Sequence, residues 1–587
     1  MPGWVPLKTM SLQEKIRRAM QWQHNGELEK AKSHYLEILE ADPRHPDALH
    51  LYGLACHQQG DHETAVHYIE QAVRLVPGQP VLRNNLGDAL RRAGDLDGAA
   101  RQLQHALDLN PSYAGAHLNL GSVHYDAGNH AAALCHAQKA VDLAPERADA
   151  WFNLGLSLLD HVRLEEAVAA FRQALAITPE YVAAASSLLY TLNLLPGADT
   201  EQLAAEHCVV ADHLYAAAAD APATRMGRKP IRIGYVSGDF RAHAVNYFFE
   251  PVVSHHDSSR FEVFAYSDTE RPDRVTDRLK RKCANWRDIC SWSDDKLLQQ
   301  IRADRIDVLV DLAGYTEHNR LAVFAARAAP CQLSFLGWPN TTGLSTMDYR
   351  VVDHVTAPAG EQVPGSERAL RLPSGFACFR PPEHAPPVAP PPFHSREQVT
   401  FGSFHKLEKL NHAVIEVWAE VLRQTPGSRL LLARDDLDEW QQERLTALFE
   451  ASGINAERLR MKQLQYSSGT FLELFAEIDI QLDTFPWSGH TMACMALWMG
   501  VPVVTLHGDG HAGRMVASVL ESIGLEELIA FDRDSYLRIS SQLAADPGRM
   551  TELRGGLRRA MSNSALCDEA GFTLGFEHAI LGTLTRN

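Results

Sequence analysis

The chain has 587 residues, 45% of them hydrophobic and 22% charged, enough apolar material for several cores and about three or four domains of ordinary size. Its 73 acidic against 56 basic residues leave a net charge of −17, which argues against a general binder of nucleic acid or anionic membranes but leaves room for a local basic pocket that holds a phosphate. The N-terminus, "MPGWVPLKTMSLQEKIRRAM", has no apolar core of signal-peptide length, and no later run approaches the roughly 20 apolar residues of a membrane span, so a cytoplasmic protein is expected. The nine cysteines, among them Cys56, Cys135, Cys283 and Cys494, are scattered and include no CxxC pair. They are expected to be mostly buried apolar side chains, not disulfides or zinc ligands. Adjacent histidines in "SHHD" (Ser254 to Asp257) diverge on any regular element, so no metal is expected there.

From the N-terminus the first feature is a repeat. Gly53, Gly87, Gly121 and Gly155 recur at a constant step of 34 residues. The same step links Gly26, Gly60, Gly94 and Gly128, then Ala31, Ala65, Ala99, Ala133 and Ala167, then Pro43, Pro77, Pro111, Pro145 and Pro179, with Val162 in place of a glycine in the last repeat. This period and these columns are similar to the tetratricopeptide repeat, a helix-turn-helix unit. The Gly53 column lets two helices approach, the Gly60 column supplies a turn, and the Pro77 column closes the second helix. Five such repeats predict an α-superhelix over residues 1–195 with a concave groove for protein or peptide. Asn84, Asn85, Asn119 and Asn153 lie where side-chain amides meet either an extended peptide backbone or solvent.

Residues 196–230 read as a connector. Beyond it, short apolar runs at Ile231–Ser237, Phe261–Asp268, Ile306–Gly314, Cys331–Gly337 and Tyr349–Asp353 predict a mostly parallel sheet covered by helices over 231–380. The proline-rich stretch 381–395 reads as an extended linker. A second series, at Val399–Phe404, Ser428–Arg434, Arg458–Leu464, Ile478–Thr484 and Val501–Gly508, predicts another α/β lobe over 396–540, followed by a helical segment over 541–587. Two doubly wound lobes leave a cleft, and ligands sit at the carboxyl ends of their strands. The residues just past those ends are "GDFRAH", "GYTEH", "GWPNTTG", "HKLEK", "DTFPWSGHT" and "GDGHAGR", rich in Gly, His, Thr and Lys. Such loops suit phosphate: glycine allows close backbone approach, threonine and helix N–H groups donate, and lysine neutralises charge. "SGHT" is expected to present the N-terminus of a helix over Thr491–Met499 to an anionic ligand. No GxGxxG, GxxxxGK[ST] or GxSxG occurs at these turns, which sets aside dinucleotide oxidoreductases, P-loop NTPases and nucleophile-elbow hydrolases.

The motifs "GYVSGDFRAHAV", "DLAGYT", "GWPNTTGLSTMDYRVVD", "FGSFHKLEKLN" and "LDTFPWSGHTMACMALWMGVPVVTL", in this order after the repeats, resemble the protein O-linked N-acetylglucosamine transferase family, which includes plant relatives that transfer fucose. The resemblance implies a GT-B-like pair of Rossmann-type lobes. It also implies an inverting glycosyltransferase that moves a sugar from UDP-N-acetylglucosamine, or GDP-fucose, to Ser or Thr hydroxyls of proteins without a cofactor or required metal. Under it, Lys409 contacts the diphosphate and stabilises the leaving group, Gly489, His490 and Thr491 meet the pyrophosphate, and Lys406, Thr316, Pro339 and Arg514 complete the pocket. The proton of the acceptor hydroxyl goes to His243, to Asp239, to a phosphate oxygen or to water. Met495 stands where one branch of the family carries an Asp that binds the ribose, and Ser468 and Phe471 stand where that branch frames the uracil with lysine and histidine. "GWPNTTG" and "DTFPWSG" lean towards the fucose-transferring branch and "GHT" away from it. A catalytically weak repeat scaffold and a transferase acting on lipids or small glycans are the other readings, and whether the last segment packs across the first lobe stays open.

Overall fold

The 34-residue rhythm is built as five consecutive helix pairs: α1 (Leu12–His24) with α2 (Leu28–Ala41), α3 (Pro46–Gln58) with α4 (His62–Leu75), α5 (Pro80–Arg92) with α6 (Leu96–Leu109), α7 (Ala114–Asp126) with α8 (His130–Leu143), and α9 (Ala148–Asp160) with α10 (Leu164–Ile177). The computed structural model describes residues 11–215, 229–464 and 471–584 and divides into two units, residues 1–178 and 179–587. In the first unit the glycine column works by steric exclusion. A Cβ at Gly53 would lie 2.6 Å from Ile69 Cγ1, at Gly87 2.5 Å from Leu103 Cγ, and at Gly155 2.4 Å from Phe171 Cε1. Turn glycines Gly26, Gly60, Gly94 and Gly128 hold φ of 77°, 85°, 90° and 72°, and Val162 holds the same left-handed turn at φ 55°. The asparagines of the first helices bond side chains of the preceding repeat: Asn119 Nδ2 donates to Asn84 Oδ1 (3.0 Å), and Asn153 Nδ2 to Ser122 Oγ (2.8 Å).

The second unit begins with α11 (Val182–Leu192) and α12 (Thr200–Leu214). The stretch read as connector from residue 196 is therefore helical over Thr200–Leu214, started by Asp199, whose carboxylate accepts from Gln202 N. The break in the 34-residue rhythm hid this helix, and residues 216–228 of that stretch lie outside the described residues.

Next comes a sheet of seven parallel strands, β1 (Ile231–Ser237), β2 (Phe261–Ser267), β3 (Asn285–Asp288), β4 (Val308–Asp311), β5 (Cys331–Ser334), β6 (Tyr349–Val352) and β7 (Arg368–Arg371), in the order β3-β2-β1-β4-β5-β6-β7. Its connections carry α13 (Asn246–His255), α14 (Arg274–Lys280), α15 (Asp294–Asp304) and α16 (Leu321–Ala325). After α17 (Phe393–Arg396), a second parallel sheet runs through β8 (Thr400–Ser403), β9 (Arg429–Arg434), β10 (Leu459–Gln463), β11 (Ile480–Leu482), β12 (Val503–Leu506) and β13 (Ile529–Ala530), ordered β10-β9-β8-β11-β12-β13. Helices α18 (His412–Gln424), α19 (Glu439–Ala451), α20 (His490–Trp498), α21 (His511–Ser522), α22 (Arg533–Ala544) and α23 (Pro547–Ser562) complete it, and α24 (Glu569–Leu584) follows. Counted from its own first strand, this is the 3-2-1-4-5-6 order of the Rossmann fold, whose switch point, here between β8 and β11, is where ligands bind.

The proline-rich linker is pinned to the second sheet's domain: Arg558 Nη2 donates to Pro386 O (2.8 Å), and Phe393 N to Asp479 Oδ1 (3.1 Å). The last helix, α24, settles the open point, because Phe572, Phe576 and Ile580 enter the first lobe's core beside Tyr235 and Phe249. Buried Glu577 receives Asp257 N and meets His256 Nδ1, both at 2.9 Å, while His255 Nδ1 lies 3.3 Å from Glu569. All nine cysteines are free; Cys56, Cys331, Cys378 and Cys494 are buried and Cys135 and Cys290 exposed, so burial claims fewer of them than expected. Among the described residues no helix is long and apolar enough to cross a membrane.

A β-branched residue in the left-handed region costs about 1–2 kcal/mol, against a smaller entropic cost for glycine. Val162→Gly should therefore stabilise the protein by about 0.5–1 kcal/mol, read as a higher urea midpoint by circular dichroism, and Gly155→Ala should lower that midpoint by forcing Phe171 aside.

Candidate active site

Asp483, one residue past β11, is fully buried and organises the cleft. One carboxylate oxygen accepts from Gly489 N (2.8 Å) and faces His405 Nε2 (3.2 Å), and the other accepts from Thr505 Oγ1 (2.7 Å). His405, two residues past β8, shares a hydrogen bond between Nδ1 and Ser403 Oγ at 2.7 Å. The carboxylate thus ties the ends of β8, β11 and β12 to the turn before α20. A Cβ at Gly489 would lie 1.9 Å from His405 Nε2, so only glycine fits between imidazole and helix.

Helix α20 starts at His490, one residue earlier than expected, and Gly489 gives it no side-chain cap. Its first N–H groups have no intrahelical acceptor and present partial positive charge. Lys409 approaches from the short 3₁₀ turn after β8: its Nζ donates to Ser488 O (3.0 Å) and sits 4.4 Å from the centroid of the Trp487 ring. Burial pushes the Lys409 ammonium down to about 7, with Asp483 opposing the shift and Lys406 adding to it. His490 is stacked on Phe248 of the first lobe at 4.4 Å and tilted against Phe376 at 4.8 Å. Burial lowers its pKa to about 4, so the ring is neutral at pH 7, and its Nε2 is buried without a partner. A half-buried lysine, a helix N-terminus and an unfilled imidazole position at one switch point are groups of the kind that hold an oxyanion.

The first lobe supplies the facing groups. The His243 side chain is 42% exposed, with Nδ1 3.5 Å from Asp239 Oδ2 and accepting from Val245 N at 3.4 Å. Burial lowers its pKa, Asp239 opposes this, and Arg241 and Lys406 add to it. Lys406, from the second lobe, therefore lies within electrostatic reach of both His243 and Lys409, and its Nζ stands 5.6 Å from the Tyr190 ring centroid. Thr316 donates to Ala313 O (2.9 Å) in the loop after β4. That loop abuts Asp239's own, since a Cβ at Gly238 would meet His318 Cβ at 2.7 Å. Pro339 is buried between Trp338, which donates to His207 Nε2 (3.2 Å), and Asn340, which donates to Asn193 Oδ1 (3.1 Å).

Arg514 stands apart: its guanidinium is spent on Gly508 O and Glu361, both at 2.9 Å. Met495 belongs to the second lobe's hydrophobic core, 3% exposed. Of the two uracil-framing positions, Ser468 lies outside the described residues, and Phe471 packs edge-on against Phe475. Sequence reasoning gave no role to Asp483, His405, Trp487 or Tyr190. Asp483 and His405 stand in the very loops that were singled out, but only the fold shows that a carboxylate from one turn holds the glycine of another.

A family model described as Glycosyl transferase family 41 matches residues 186–378 and 394–575, and tetratricopeptide models match 24–80, 87–128 and 136–182. A Solanum lycopersicum protein named "Probable UDP-N-acetylglucosamine--peptide N-acetylglucosaminyltransferase SPINDLY" is 38% identical over 359 residues, 60% of this chain and 39% of that protein. Its Arabidopsis thaliana namesake is 39% identical over 357 residues, again 60% of this chain and 39% of its own. The chain thus matches about two fifths of the length of these curated relatives. A solved O-GlcNAc transferase variant of Thermobaculum terrenum, 34% identical, superposes with a TM-score of 0.77 over 86% of this chain and 97% of its own.

A diphosphate beside Lys409 favours the ammonium, so binding must take up a proton wherever the free lysine is partly neutral, at and above about pH 7. Titration with UDP at pH 8 should therefore give enthalpies that differ between phosphate and Tris buffers, affinity should fall as pH rises towards 9, and both effects should vanish in Lys409→Met.

Proposed function

We propose, because the chain belongs to glycosyl transferase family 41, that its second unit transfers N-acetylglucosamine from UDP-N-acetylglucosamine to Ser or Thr hydroxyls of proteins. The observation that carries this reading is the convergence of Lys409, the uncapped N-terminus of α20 and the unpartnered Nε2 of His490 at the switch point between β8 and β11. The names of the relatives supply the donor and the acceptor class.

In this reading the acceptor oxygen attacks the anomeric carbon from the side opposite the diphosphate. The bond from that carbon to the phosphate oxygen breaks, the configuration inverts, and the electron pair leaves on UDP. Lys409 and the N–H groups of α20 meet the charge that grows there, and a fixed cation stabilises that charge more in the transition state than in the ground state. No metal or cofactor is invoked. The acceptor proton leaves towards His243, where Asp239, 3.5 Å from Nδ1, opposes the lowering of its pKa by burial and steadies the imidazolium that forms. The repeat array offers its ladder of side-chain amides to the acceptor protein. Nine free thiols suit a reducing cytoplasm.

Lys409→Ala should lower sugar transfer by about 10²–10³-fold, the range seen when one fixed donor to a developing oxyanion is removed, while the fold is kept. Near-normal turnover would remove Lys409 from the mechanism. Calorimetric titration with UDP, UDP-N-acetylglucosamine, GDP and GDP-fucose fixes the donor: micromolar binding of the uridine pair supports the proposal, binding of the guanosine pair replaces the sugar with fucose, and binding of none makes the chain a repeat scaffold.

A further inference from the structure

A cavity of about 410 Å³ in the same unit borders the site above at Pro339 but takes in none of Lys409, His490, Thr491 or His243. Its walls come from the α11–α12 turn, from the loop around Asn340, and from the segment that leads out of β12 into α21. Apolar side chains, including Leu195, Leu203 and Phe485, make up much of the lining. The lining includes Arg350 of β6, only 6% exposed. Its one hydrogen bond among the described residues is a long one, from Nη2 to Pro364 O at 3.5 Å, and its Nε is buried without a partner. The nearest carboxylate in charge terms, Glu367, is already bonded to the backbone and hydroxyl of Thr342 and to Thr341. A guanidinium removed from water with no counter-ion is unfavourable unless something else supplies the negative charge.

The same cavity receives the N-terminus of α21, a 12-residue helix whose Gly510 provides no side-chain cap. His511, its first residue, also lines the cavity and holds a buried, unpartnered Nδ1. Buried arginine, unpartnered imidazole nitrogen and free helix N–H groups all call for an oxyanion. The exposed residues of the lining, Asp509 and Asp532, carry the opposite sign, and Phe531 beside them is 71% exposed and 5.2 Å from the His507 ring. One fixed cation inside and two carboxylates outside match a singly charged, planar group on an apolar stem better than a phosphate dianion.

We infer that this cavity is a specificity subsite that takes the carboxylate of a glutamate or aspartate side chain of the bound acceptor polypeptide, with Arg350 as its anchor. The acceptor being a polypeptide rests on the function proposed above; the anion chemistry rests on the cavity alone. Nothing in the sequence marked Arg350, which lies inside the strand of "MDYRVVD" and not at its end.

The test is an array of Thr-centred peptides in which each flanking position in turn is Glu, Gln or phosphoserine, probed without donor by the fluorescently labelled full chain. At one or more fixed positions Glu should bind about tenfold more tightly than Gln. Arg350→Gln should erase that preference without weakening the Gln peptides, Arg350→Lys should keep part of it, and UDP affinity should stay unchanged as a sign of intact folding. Ala198→Glu, on the loop wall of the cavity, supplies an internal competitor and should erase the preference without disturbing a buried residue. Equal binding of Glu and Gln at every position, or a preference that survives both Arg350→Gln and Ala198→Glu, overturns the subsite, and phosphoserine preferred over Glu overturns its single-charge character. Because binding is read without donor, a chain that selects Glu peptides but transfers no sugar refutes the proposed function and keeps the subsite, while equal transfer to Glu and Gln peptides does the reverse.

Discussion

The Asp483 carboxylate is the constraint on which the second lobe's chemistry depends. Fully buried, it accepts from a backbone N–H before α20 and from a hydroxyl of β12, and it faces the imidazole that follows β8. A buried charge is tolerable only when such donors surround it, so the turns after β8, β11 and β12 are fixed relative to one another by one electrostatic requirement. The same negative charge opposes the desolvation of Lys409 and His490. It lets a lysine sit in a poorly hydrated place without pairing so closely that the ammonium loses its capacity for a ligand: Nζ rests on the Ser488 carbonyl, a neutral partner that a phosphate can readily displace.

Aromatic rings extend this frame across the cleft. Trp487 lies under Lys409, meets Tyr190 of α11 at 5.4 Å and Trp338 of the first lobe at 6.4 Å. His490 is held between Phe248 and Phe376. Edge-to-face rings add modest energy beyond the area they bury but define orientation well. Helix α11 thus has a different duty from the repeats it follows in sequence: Tyr190 and Asn193 furnish the wall behind the lysines and the turn at Pro339.

Much of this was legible because the determinants are local. The repeat columns Gly53 and Gly60 encode a helix contact and a left-handed turn, and both are realised, down to Val162 in its αL turn. The central strands, hydrophobic on both faces, announced themselves; β1 spans the run expected of it. The strands that escaped notice, Asn285–Asp288, Arg368–Arg371 and Ile529–Ala530, are short and lie at sheet edges, where half-exposed residues such as "NWRD" and "RALR" carry little apolar signal. The loops at strand ends could be read as a phosphate site, but not which lysine is desolvated, nor that Arg514 is consumed by Glu361. Those properties arise between groups 79 and 153 residues apart in sequence, and the role of Met495 changed from ribose-facing substitute to core side chain once its burial was known.

The placement of α24 bears on how the protein is made. The first lobe's sheet is encoded within residues 231–371, yet its core is closed by Phe572, Phe576 and Ile580, and His256 waits for Glu577, 321 residues downstream. At roughly 5–20 residues per second that is about 15–60 s of translation. Through that interval the nascent lobe carries an uncovered apolar face while the second lobe's sequence emerges after it. The first lobe, although encoded first, is thus the last to be completed, and its apolar face must be shielded from other chains until the final helix arrives.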